Sequence, residues 1–303
     1  HPTIRSLSGL ERKADPVRTN PRPEKEHAMS EAAQPIANLP EAPDLNVSLK
    51  DLVATVEINR PPHNFFDYDL IRQLADVFDA LDENDDCRAL VLCANGKSFC
   101  AGANFGDGSG VKTDGSVEGA VNRSGAGHLY TEAVRLFSNK KPVVGAIQGA
   151  AIGGGFGLSL VPDFRVAAPE ARFAANFTRL GFHPGFGLTA TLPMIIGPTK
   201  AALMFYTSRR IKGEEALEMG LVDHVVPLDQ VRQAAWDLAR EIAINAPLAL
   251  ISTRATMRKG LADKVRAATA HELEEQTWLR KTEDFKEGIA ATSDRRIPNF
   301  KGR

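Results

Sequence analysis

Two glycine-containing segments carry the residue types that could stabilise a developing negative charge. Three consecutive glycines, Gly153 to Gly155, follow a short apolar run, and the segment FCAGANF, residues 99–105, follows another. Glycines allow tight turns and a close approach of a ligand to the backbone. At a helix start, the first amide N–H groups have no intrahelical partner and can donate to an oxyanion. Taken alone, the glycine triplet is more typical of a close-packed turn between a strand and a helix.

Side chains that could transfer a proton lie elsewhere in the chain. His183 is in the Gly/Pro-rich loop LGFHPGFGL, and His128 and Glu132 are four residues apart at the start of a predicted helix. Histidine titrates near neutral pH and is a common general acid or base. The alternatives are that His183 only caps its loop and that His128 and Glu132 pair on a helix surface. Polar residues that could orient a ligand are Asn64, Thr178 and Arg179.

Several common cofactor and metal motifs are excluded. Residues 185–190, GFGLTA, match a loosened dinucleotide pattern, but they follow His-Pro rather than a strand, and no acidic residue ends a following strand at the expected distance. The sequence has neither a G-x-S-x-G nucleophile elbow nor a G-x-x-x-x-G-K-[ST] phosphate loop. Cys87, Cys93 and Cys100 lack metal-ligand spacing, and free thiols in a reducing cytosol are the simplest explanation. No metal site is predicted.

The composition is that of an ordinary soluble globular protein. Of the 303 residues, 43% are hydrophobic and 25% are charged, and the formal net charge is -1. A charge this close to zero, without a Lys/Arg stripe, argues against binding to nucleic acid or to an anionic membrane. No apolar run approaches the roughly 20 residues that span a bilayer. We therefore expect a cytoplasmic protein with neither a nucleic-acid nor a membrane partner.

The hydrophobic pattern places both glycine segments at the ends of buried strands. Apolar runs rich in β-branched residues predict strands, and apolar residues at three- and four-residue intervals predict a helix that Asp67 can cap. The predicted elements are a hairpin over residues 47–51 and 53–59, a helix over residues 70–81, strands over residues 89–92 and 143–147, and a helix over residues 156–161. The glycine triplet therefore joins a strand to a helix.

The chain divides into three parts. Residues 1–46 are rich in Pro, Glu, Arg, Asn and Ala and lack periodicity, which is typical of a disordered arm or an expression remnant. Residues 47–227 mix strands and helices and form the predicted core. Within it, residues 106–127 are dominated by Gly, Ser, Asp and Asn, and so long a loop is often an active-site lid. Residues 228–303 show helical patterns and suggest a second layer or an oligomerisation unit.

Read together, the two glycine segments resemble those of the crotonase, or enoyl-CoA hydratase/isomerase, superfamily. The resemblance covers roughly residues 47–303 and rests on several motifs in the expected order. These motifs are KPVVGAIQGAAIGGG, the pair Pro162-Asp163, ARF, LGFHPGFG, ALEMGLVDHVVP, EGIAAT and FKGR. The resemblance implies an α/β fold, a spiral of ββα units, with a helical C-terminal trimerisation region. Trimers of this family often pair into hexamers, so a homotrimer or a dimer of trimers is expected.

The resemblance also implies a site for an acyl-CoA thioester. The amides of Ala103 and Gly154 would donate to the thioester carbonyl oxygen, and the adenine nucleotide would lie near Ala101, Ala103 and Phe105. Coenzyme A would be part of the substrate, with no tightly bound cofactor. Further residues assigned to substrate binding are Asn64, Gly153 and Phe177. Six phenylalanines would either line the acyl site or belong to the core, namely Phe65, Phe66, Phe156, Phe177, Phe182 and Phe186.

Three positions depart from the family pattern. Hydratases of the family have glutamates where this chain has Gly157 and Phe177. Gly185 stands where some isomerases and a dehalogenase carry an aspartate. Neither Gly157 nor Phe177 can transfer a proton, so water addition by two carboxylates lacks both groups. The resemblance implies a structural role for Asp163.

The implied function is therefore acyl-CoA thioester processing through an oxyanion-stabilised enolate. An enzyme of the enoyl-CoA hydratase/isomerase type, a lyase or isomerase of fatty acid metabolism, is the first hypothesis. A CoA-dependent isomerase, lyase or hydrolase with a non-glutamate base is the alternative enzyme. Its candidate bases are His183, His128 and Glu132. The non-enzymatic alternative is a protein that binds acyl-CoA without turnover.

Overall fold

The structure of the chain is a computed structural model. It describes residue 36, residues 38–105 and residues 128–303. The predicted lid over residues 106–127 and most of the predicted arm over residues 1–46 lie outside the described residues. From residue 38 onward, the described residues belong to one compact unit.

Residues 38–46 differ from the predicted disordered arm because they are fixed to the folded unit. The Asp44 carboxylate accepts hydrogen bonds from the side chains of Arg60 and Gln73, each at 2.6 Å. These hydrogen bonds, above all the one from Arg60, lower the pKa of the Asp44 carboxyl. Burial raises it, but by less than the bonds lower it. The first strand then begins at Leu45. The folded chain therefore starts before residue 46.

Ten strands in the described part of the chain form two sheets. They are β1 (Leu45–Lys50), β2 (Val53–Ile58), β3 (Ala89–Ala94), β4 (Ser98–Cys100), β5 (Val143–Ile147), β6 (Ala150–Ile152), β7 (Phe164–Ala167), β8 (Arg172–Ala174), β9 (Ile211–Lys212) and β10 (His224–Val225). The larger sheet has the order β1-β2-β3-β5-β7-β10 and is parallel except for the β1–β2 hairpin. The smaller sheet has the order β4-β6-β8-β9, and only β8–β9 is antiparallel.

Ten α-helices of the described residues surround these sheets. They are α1 (Tyr68–Asp82), α2 (Leu129–Ser138), α3 (Gly154–Ser159), α4 (Leu188–Ile196), α5 (Pro198–Thr207), α6 (Gly213–Met219), α7 (Val231–Ala243), α8 (Pro247–Met257), α9 (Leu261–Leu279) and α10 (Glu283–Ser293). A short 3₁₀ turn spans Thr178–Leu180. Each helix of the described residues is too short or too polar to span a lipid bilayer. The predicted α/β class with a helical C-terminal region is confirmed.

The local predictions that rest on periodicity are confirmed. The Asp67 side chain accepts a hydrogen bond from the Leu70 amide at 2.9 Å and caps α1, whose apolar stripe is buried. All six residues of β3 are buried, as its continuous apolar run and its place inside a parallel sheet require. Helix α3 begins at Gly154 rather than at the predicted Phe156, because the glycines themselves form its first turn.

The C-terminal helices form a layer of the same unit. The small and apolar face of α7, at Val231, Ala235, Ala239 and Ala243, packs against the larger sheet and buries side chains such as Val144. Helix α9 packs against α2 and α4, and α10 packs against the 3₁₀ turn. Residues far apart in the chain therefore meet around α9.

Candidate active site

The two glycine segments meet because short parallel strands precede them. Strand β4 pairs with β6 in parallel, with Ser98 opposite Ala150 and Cys100 opposite Ala151. Parallel neighbours end at the same edge of a sheet, so the residues that follow these two strands lie side by side. A cavity opens at this edge, and residues of both segments line it.

The close approach of the two segments requires glycine. Gly102 has a φ of +84°, and a Cβ there would lie 2.6 Å from the carbonyl oxygen of Ile152. A Cβ at Gly154 would overlap the Phe66 ring. An alanine at position 102 would push the two segments apart, and an alanine at position 154 would displace Phe66 from the cavity wall.

Two backbone amides of the cavity wall have no acceptor among the described residues. The Ala101 amide donates to the His63 carbonyl, and the Phe66 amide donates to the Gly102 carbonyl, both at 3.0 Å, which fixes the first segment. Within the described part of the chain, no acceptor is bonded to the amide of Ala103 or to that of Gly154, the first residue of α3. Ala103 and Gly154 both line the cavity. The structure therefore brings the predicted pair of donors into one cavity wall.

Most of the remaining wall is apolar. The apolar side chains are Phe66, Phe105, Leu129, Ile152, Phe177, Leu180, Phe182 and Phe186. Of the other residues assigned to substrate binding, Ala101 and Gly153 also line the cavity. Phe156 does not: it is fully buried and packs against Phe173, so it belongs to the core. Four of the six phenylalanines singled out in the sequence thus face the cavity.

His128 lines the cavity as a neutral hydrogen-bond donor. It caps α2, and its Nδ1 accepts a hydrogen bond from the Tyr130 amide at 3.2 Å. The neutral ring therefore carries its proton on Nε2. Burial lowers the pKa of His128 to about 4, and the charge of Arg280 adds to this effect. In this arrangement His128 offers an N–H rather than the basic lone pair predicted for it.

A polar cluster of Tyr130, Gln276 and Arg280 forms one side of the cavity. The Gln276 Oε1 accepts hydrogen bonds from the Tyr130 hydroxyl at 3.1 Å and from Arg280 Nη2 at 2.8 Å. Its Nε2 donates to the carbonyls of His183 and Pro184. Burial raises the pKa of Tyr130 to about 12, so the phenol is protonated at neutral pH. The sequence analysis did not identify this cluster.

Aromatic side chains occupy the space beside Gly157 and Gly185, the two glycines that depart from the family pattern. A Cβ at Gly157 would lie 2.8 Å from the Phe186 Cβ. A Cβ at Gly185 would overlap the Tyr130 hydroxyl. Phe186 and Tyr130 both line the cavity. The described lining contains neither aspartate nor glutamate, and its remaining polar side chain is Asn176.

Three residues predicted for the site have other tasks and are not among the cavity-lining residues. Asn64 is fully buried, and its Nδ2 donates to the carbonyls of Asn95 and Ser98. This bonding holds the loop before α1, and both donor hydrogens of the Asn64 amide are used in it. The Thr178 hydroxyl of the 3₁₀ turn bonds to the Phe205 carbonyl in α5 and to the Ser208 hydroxyl, while the Arg179 amide donates to the Ser208 hydroxyl.

Two of the three predicted bases, Glu132 and His183, are likewise not among the cavity-lining residues. The Glu132 carboxylate accepts from the Tyr68 hydroxyl at 3.2 Å and pairs with Arg135 at 2.6 Å. The His183 Nδ1 donates to the carbonyl of Pro184 at 2.8 Å. The Glu132 side chain is thus paired on the surface of α2, and the His183 side chain is bonded within its own loop. These were the alternatives considered for the two residues.

Asp163 takes part in a structural network, as expected. It accepts hydrogen bonds from the Val143 amide, from Arg254 and from Arg258, at 2.8 to 2.9 Å. Arg254 also donates to the Asn139 side chain at 3.0 Å. These bonds join the segment after α3 to the C-terminal helix α8 and lie away from the cavity-lining residues.

Comparison with known proteins gives consistent results. The family model described as enoyl-CoA hydratase/isomerase matches residues 49–303. The chain is 33% identical over 254 residues to the short-chain-enoyl-CoA hydratase of Clostridium acetobutylicum, covering 83% of this chain and 95% of the relative. It is 31% identical over 261 residues to the 2,3-dehydroadipyl-CoA hydratase of Escherichia coli, covering 86% and 99%.

Solved structures show the same similarity. The crystal structure of an enoyl-CoA hydratase/isomerase from Pseudoalteromonas atlantica is 29% identical, with a TM-score of 0.75. The matched region covers 85% of this chain and 100% of that one. The crystal structure of an enoyl-CoA hydratase from Bacillus anthracis is 30% identical with a TM-score of 0.64, covering 86% and 100%.

Proposed function

Because the chain belongs to the enoyl-CoA hydratase/isomerase family, we propose that it processes an acyl-CoA thioester through an enolate. The observation that carries the proposal is the pair of amides, at Ala103 and Gly154, that face one apolar cavity and have no acceptor among the described residues. Removal of a proton α to a thioester places negative charge on the carbonyl oxygen. Two fixed N–H donors stabilise that charge more than they stabilise the neutral carbonyl.

In this proposal, coenzyme A is part of the substrate and no other cofactor takes part. The pantetheine and nucleotide would pass Ala101 and Phe105, beside the first donor. The acyl group would lie among the aromatic side chains, including Phe177, which burial in the cavity wall keeps away from water. A water-poor site strengthens the hydrogen bonds to the enolate oxygen.

The reaction would differ from water addition by two carboxylates. Gly157 and Phe177 stand at the positions assigned to the hydratase glutamates, and the described cavity lining has no carboxylate. An isomerase, lyase or hydrolase that moves protons with another group fits this lining. The Tyr130 phenol is a candidate acid, because it is protonated and lies in the cavity wall. The same lack of a carboxylate favours a second candidate function, acyl-CoA binding without turnover.

The test is proton exchange in deuterated water with a panel of acyl-CoA thioesters. We expect deuterium at the α or γ carbon of a substrate, measured by mass spectrometry. Ala103→Pro removes the amide N–H and should reduce exchange by about 100- to 1,000-fold. Ala103→Gly keeps the N–H and is the matched control. Binding without exchange would support the second function, and undiminished exchange by Ala103→Pro would refute the oxyanion site.

We also propose a cytoplasmic homotrimer, or a dimer of trimers. Several large apolar side chains on the C-terminal helices and α4 are exposed in the single chain, including Met194, Leu248 and Met257. An apolar groove lined by α4 and α8 residues lies beside them. The three cysteines are buried free thiols, which suits a reducing compartment.

A further inference from the structure

One side of the cavity carries an arginine that has no carboxylate partner among the described residues. Arg280 Nη2 donates to Gln276 Oε1 at 2.8 Å, while its Nε is buried without a partner. The guanidinium lies 5.2 Å from the centre of the Phe182 ring. Burial lowers the pKa of Arg280, against the opposing effect of Tyr130. A half-buried guanidinium with a buried Nε and no counter-charge is costly, so this arrangement favours an anion from outside.

The neighbouring groups cannot supply that anion at neutral pH. Tyr130 is protonated, Gln276 is uncharged, and His128 is neutral. Glu272 lies two turns earlier on α9, but its two carboxylate oxygens accept from the Gly187 and Thr189 amides and from the Thr189 hydroxyl. The described cavity lining therefore has one full charge, and that charge is positive.

We propose that the substrate's acyl group ends in a carboxylate and that Arg280 binds it. The inference rests on the proposed function, namely that an acyl-CoA thioester occupies this cavity. Arginine presents a planar fork of donors that matches a carboxylate, and the hydrogen bond to Gln276 holds that fork in place. The same cavity wall is mostly aromatic, which suits a methylene chain.

A phosphate of coenzyme A is a second source of anionic oxygen that Arg280 could meet. Phe182, on which the guanidinium lies, contacts Phe105 with a distance of 5.8 Å between ring centres. Phe105 belongs to the segment proposed to meet the nucleotide. The position of the anion is therefore tested with thioesters that lack the coenzyme A phosphates.

The experiment measures binding of saturated, unreactive thioesters by titration calorimetry. Adipyl and suberyl thioesters carry a terminal carboxylate, and hexanoyl and octanoyl thioesters are the uncharged counterparts. Each is used as the CoA thioester and as the N-acetylcysteamine thioester. Wild type should prefer the carboxylated member of at least one pair in both forms. Arg280→Gln should weaken that binding by about 10- to 100-fold and leave the uncharged thioester within about twofold.

Two further variants serve as controls. Arg280→Lys keeps the charge but not the fork, and we expect an intermediate loss. Arg240→Gln removes a half-buried arginine of α7 that also has an unbonded guanidinium nitrogen but lies outside the cavity lining, and we expect no change. Thermal unfolding checks that each variant is folded. If Arg280→Gln is not folded, the preference of wild type for carboxylated over uncharged thioesters decides whether the cavity binds a carboxylate.

The outcomes separate the two proposals. Equal binding of carboxylated and uncharged thioesters by wild type would overturn the role of Arg280 and leave the proposed function standing. A loss in Arg280→Gln that appears with CoA thioesters but not with N-acetylcysteamine thioesters would assign Arg280 to a phosphate and overturn the carboxylate. Binding of none of the thioesters would overturn both.

Discussion

At the scale of single residues, the site is defined by which side chain fills a given volume. Gly157 and Gly185 contribute no side chain, and the space beside them is taken by Phe186 and Tyr130 from other parts of the chain. Phe186 has a φ of +63°, a conformation that costs a bulky residue about 1 kcal/mol or more. The ring is nonetheless fully buried. Residues 157 and 186 should therefore behave as a coupled pair.

We predict that Gly157→Ala destabilises the protein by about 1–3 kcal/mol, because the new methyl group would collide with the Phe186 Cβ. In a Phe186→Gly background that collision is absent, so most of the cost of Gly157→Ala should disappear. Urea unfolding of the four proteins in a double-mutant cycle measures the coupling. Additive costs would show that the two residues do not share one space.

The second prediction at this scale concerns His128 and pH. Its pKa is lowered from 6.5 to about 4 by folding, first through burial and then through Arg280. Between these values the unfolded chain binds a proton that the folded chain does not, so stability falls as pH falls from about 6.5 to about 4. Above pH 6.5 the effect is absent.

His128→Asn removes this titration and keeps an N-cap for α2. Between pH 7 and pH 5, wild type should lose about 2 kcal/mol more unfolding free energy than His128→Asn. Urea unfolding at both pH values measures the difference. Parallel pH profiles of the two proteins would contradict the burial of a neutral imidazole.

At the scale of elements, α9 is the helix that holds the site together. Its inward face is polar, with Thr269, Glu272 and Gln276 buried. Glu272 accepts hydrogen bonds from the amides at the start of α4, and Gln276 donates hydrogen bonds to the carbonyls of the loop that precedes α4. One face of α9 thus supplies hydrogen-bond partners for backbone groups of residues 183–189.

We predict that Glu272→Ala destabilises the protein by about 2–4 kcal/mol, because it leaves two amides and a hydroxyl without an acceptor in a buried site. The exposed Glu274 of the same helix provides the control, Glu274→Ala, which should cost less than about 0.5 kcal/mol. Hydrogen exchange at the Thr189 amide should accelerate in Glu272→Ala. Unchanged exchange there would show that Glu272 does not hold the start of α4.

The same helix marks the limit of prediction from sequence. Strands β3 and β5 and helix α1 were predicted because their apolar residues repeat at strand or helix intervals. The face of α9 gives no such signal, since all of its buried residues except Val265 are polar. The partners of Glu272 and Gln276 lie 83 to 146 positions away in the chain. The four-residue spacing of Glu272, Gln276 and Arg280 was the available clue, and nothing local distinguishes it from a solvated face.

The convergence of the two glycine segments was inferred from their residue types and from family resemblance. Its physical cause, the pairing of β4 with β6, escaped prediction because each strand has three residues and too few positions to show alternation. The pair Ala103 and Gly154 could be predicted, since an amide needs only a backbone position. The polar side chains opposite them depend on tertiary packing, and those predicted for the role, His183 and Glu132, are bonded elsewhere.

At the scale of the whole molecule, the exposed apolar residues bear on assembly. Met257 and Leu248 on α8 are 83% and 82% exposed in the single chain. Side chains of this kind are commonly covered in an oligomer. We predict a solution mass of three or six chains by light scattering. Met257→Glu should shift the mass toward one chain, whereas Met257→Leu should not, and a monomeric wild type would contradict the proposed trimer.

The reach of α9 back to residues 183–189 also orders events on the ribosome. The Gly187 amide is separated from its acceptor on Glu272 by 85 positions. At about 5–20 residues per second, the ribosome needs on the order of 4–17 s to make that stretch. During this interval the nascent chain carries both glycine segments and much of the aromatic wall, but neither Gln276 nor Arg280 has been made. The polar side of the cavity can therefore form only several seconds after the glycine segments have been synthesised.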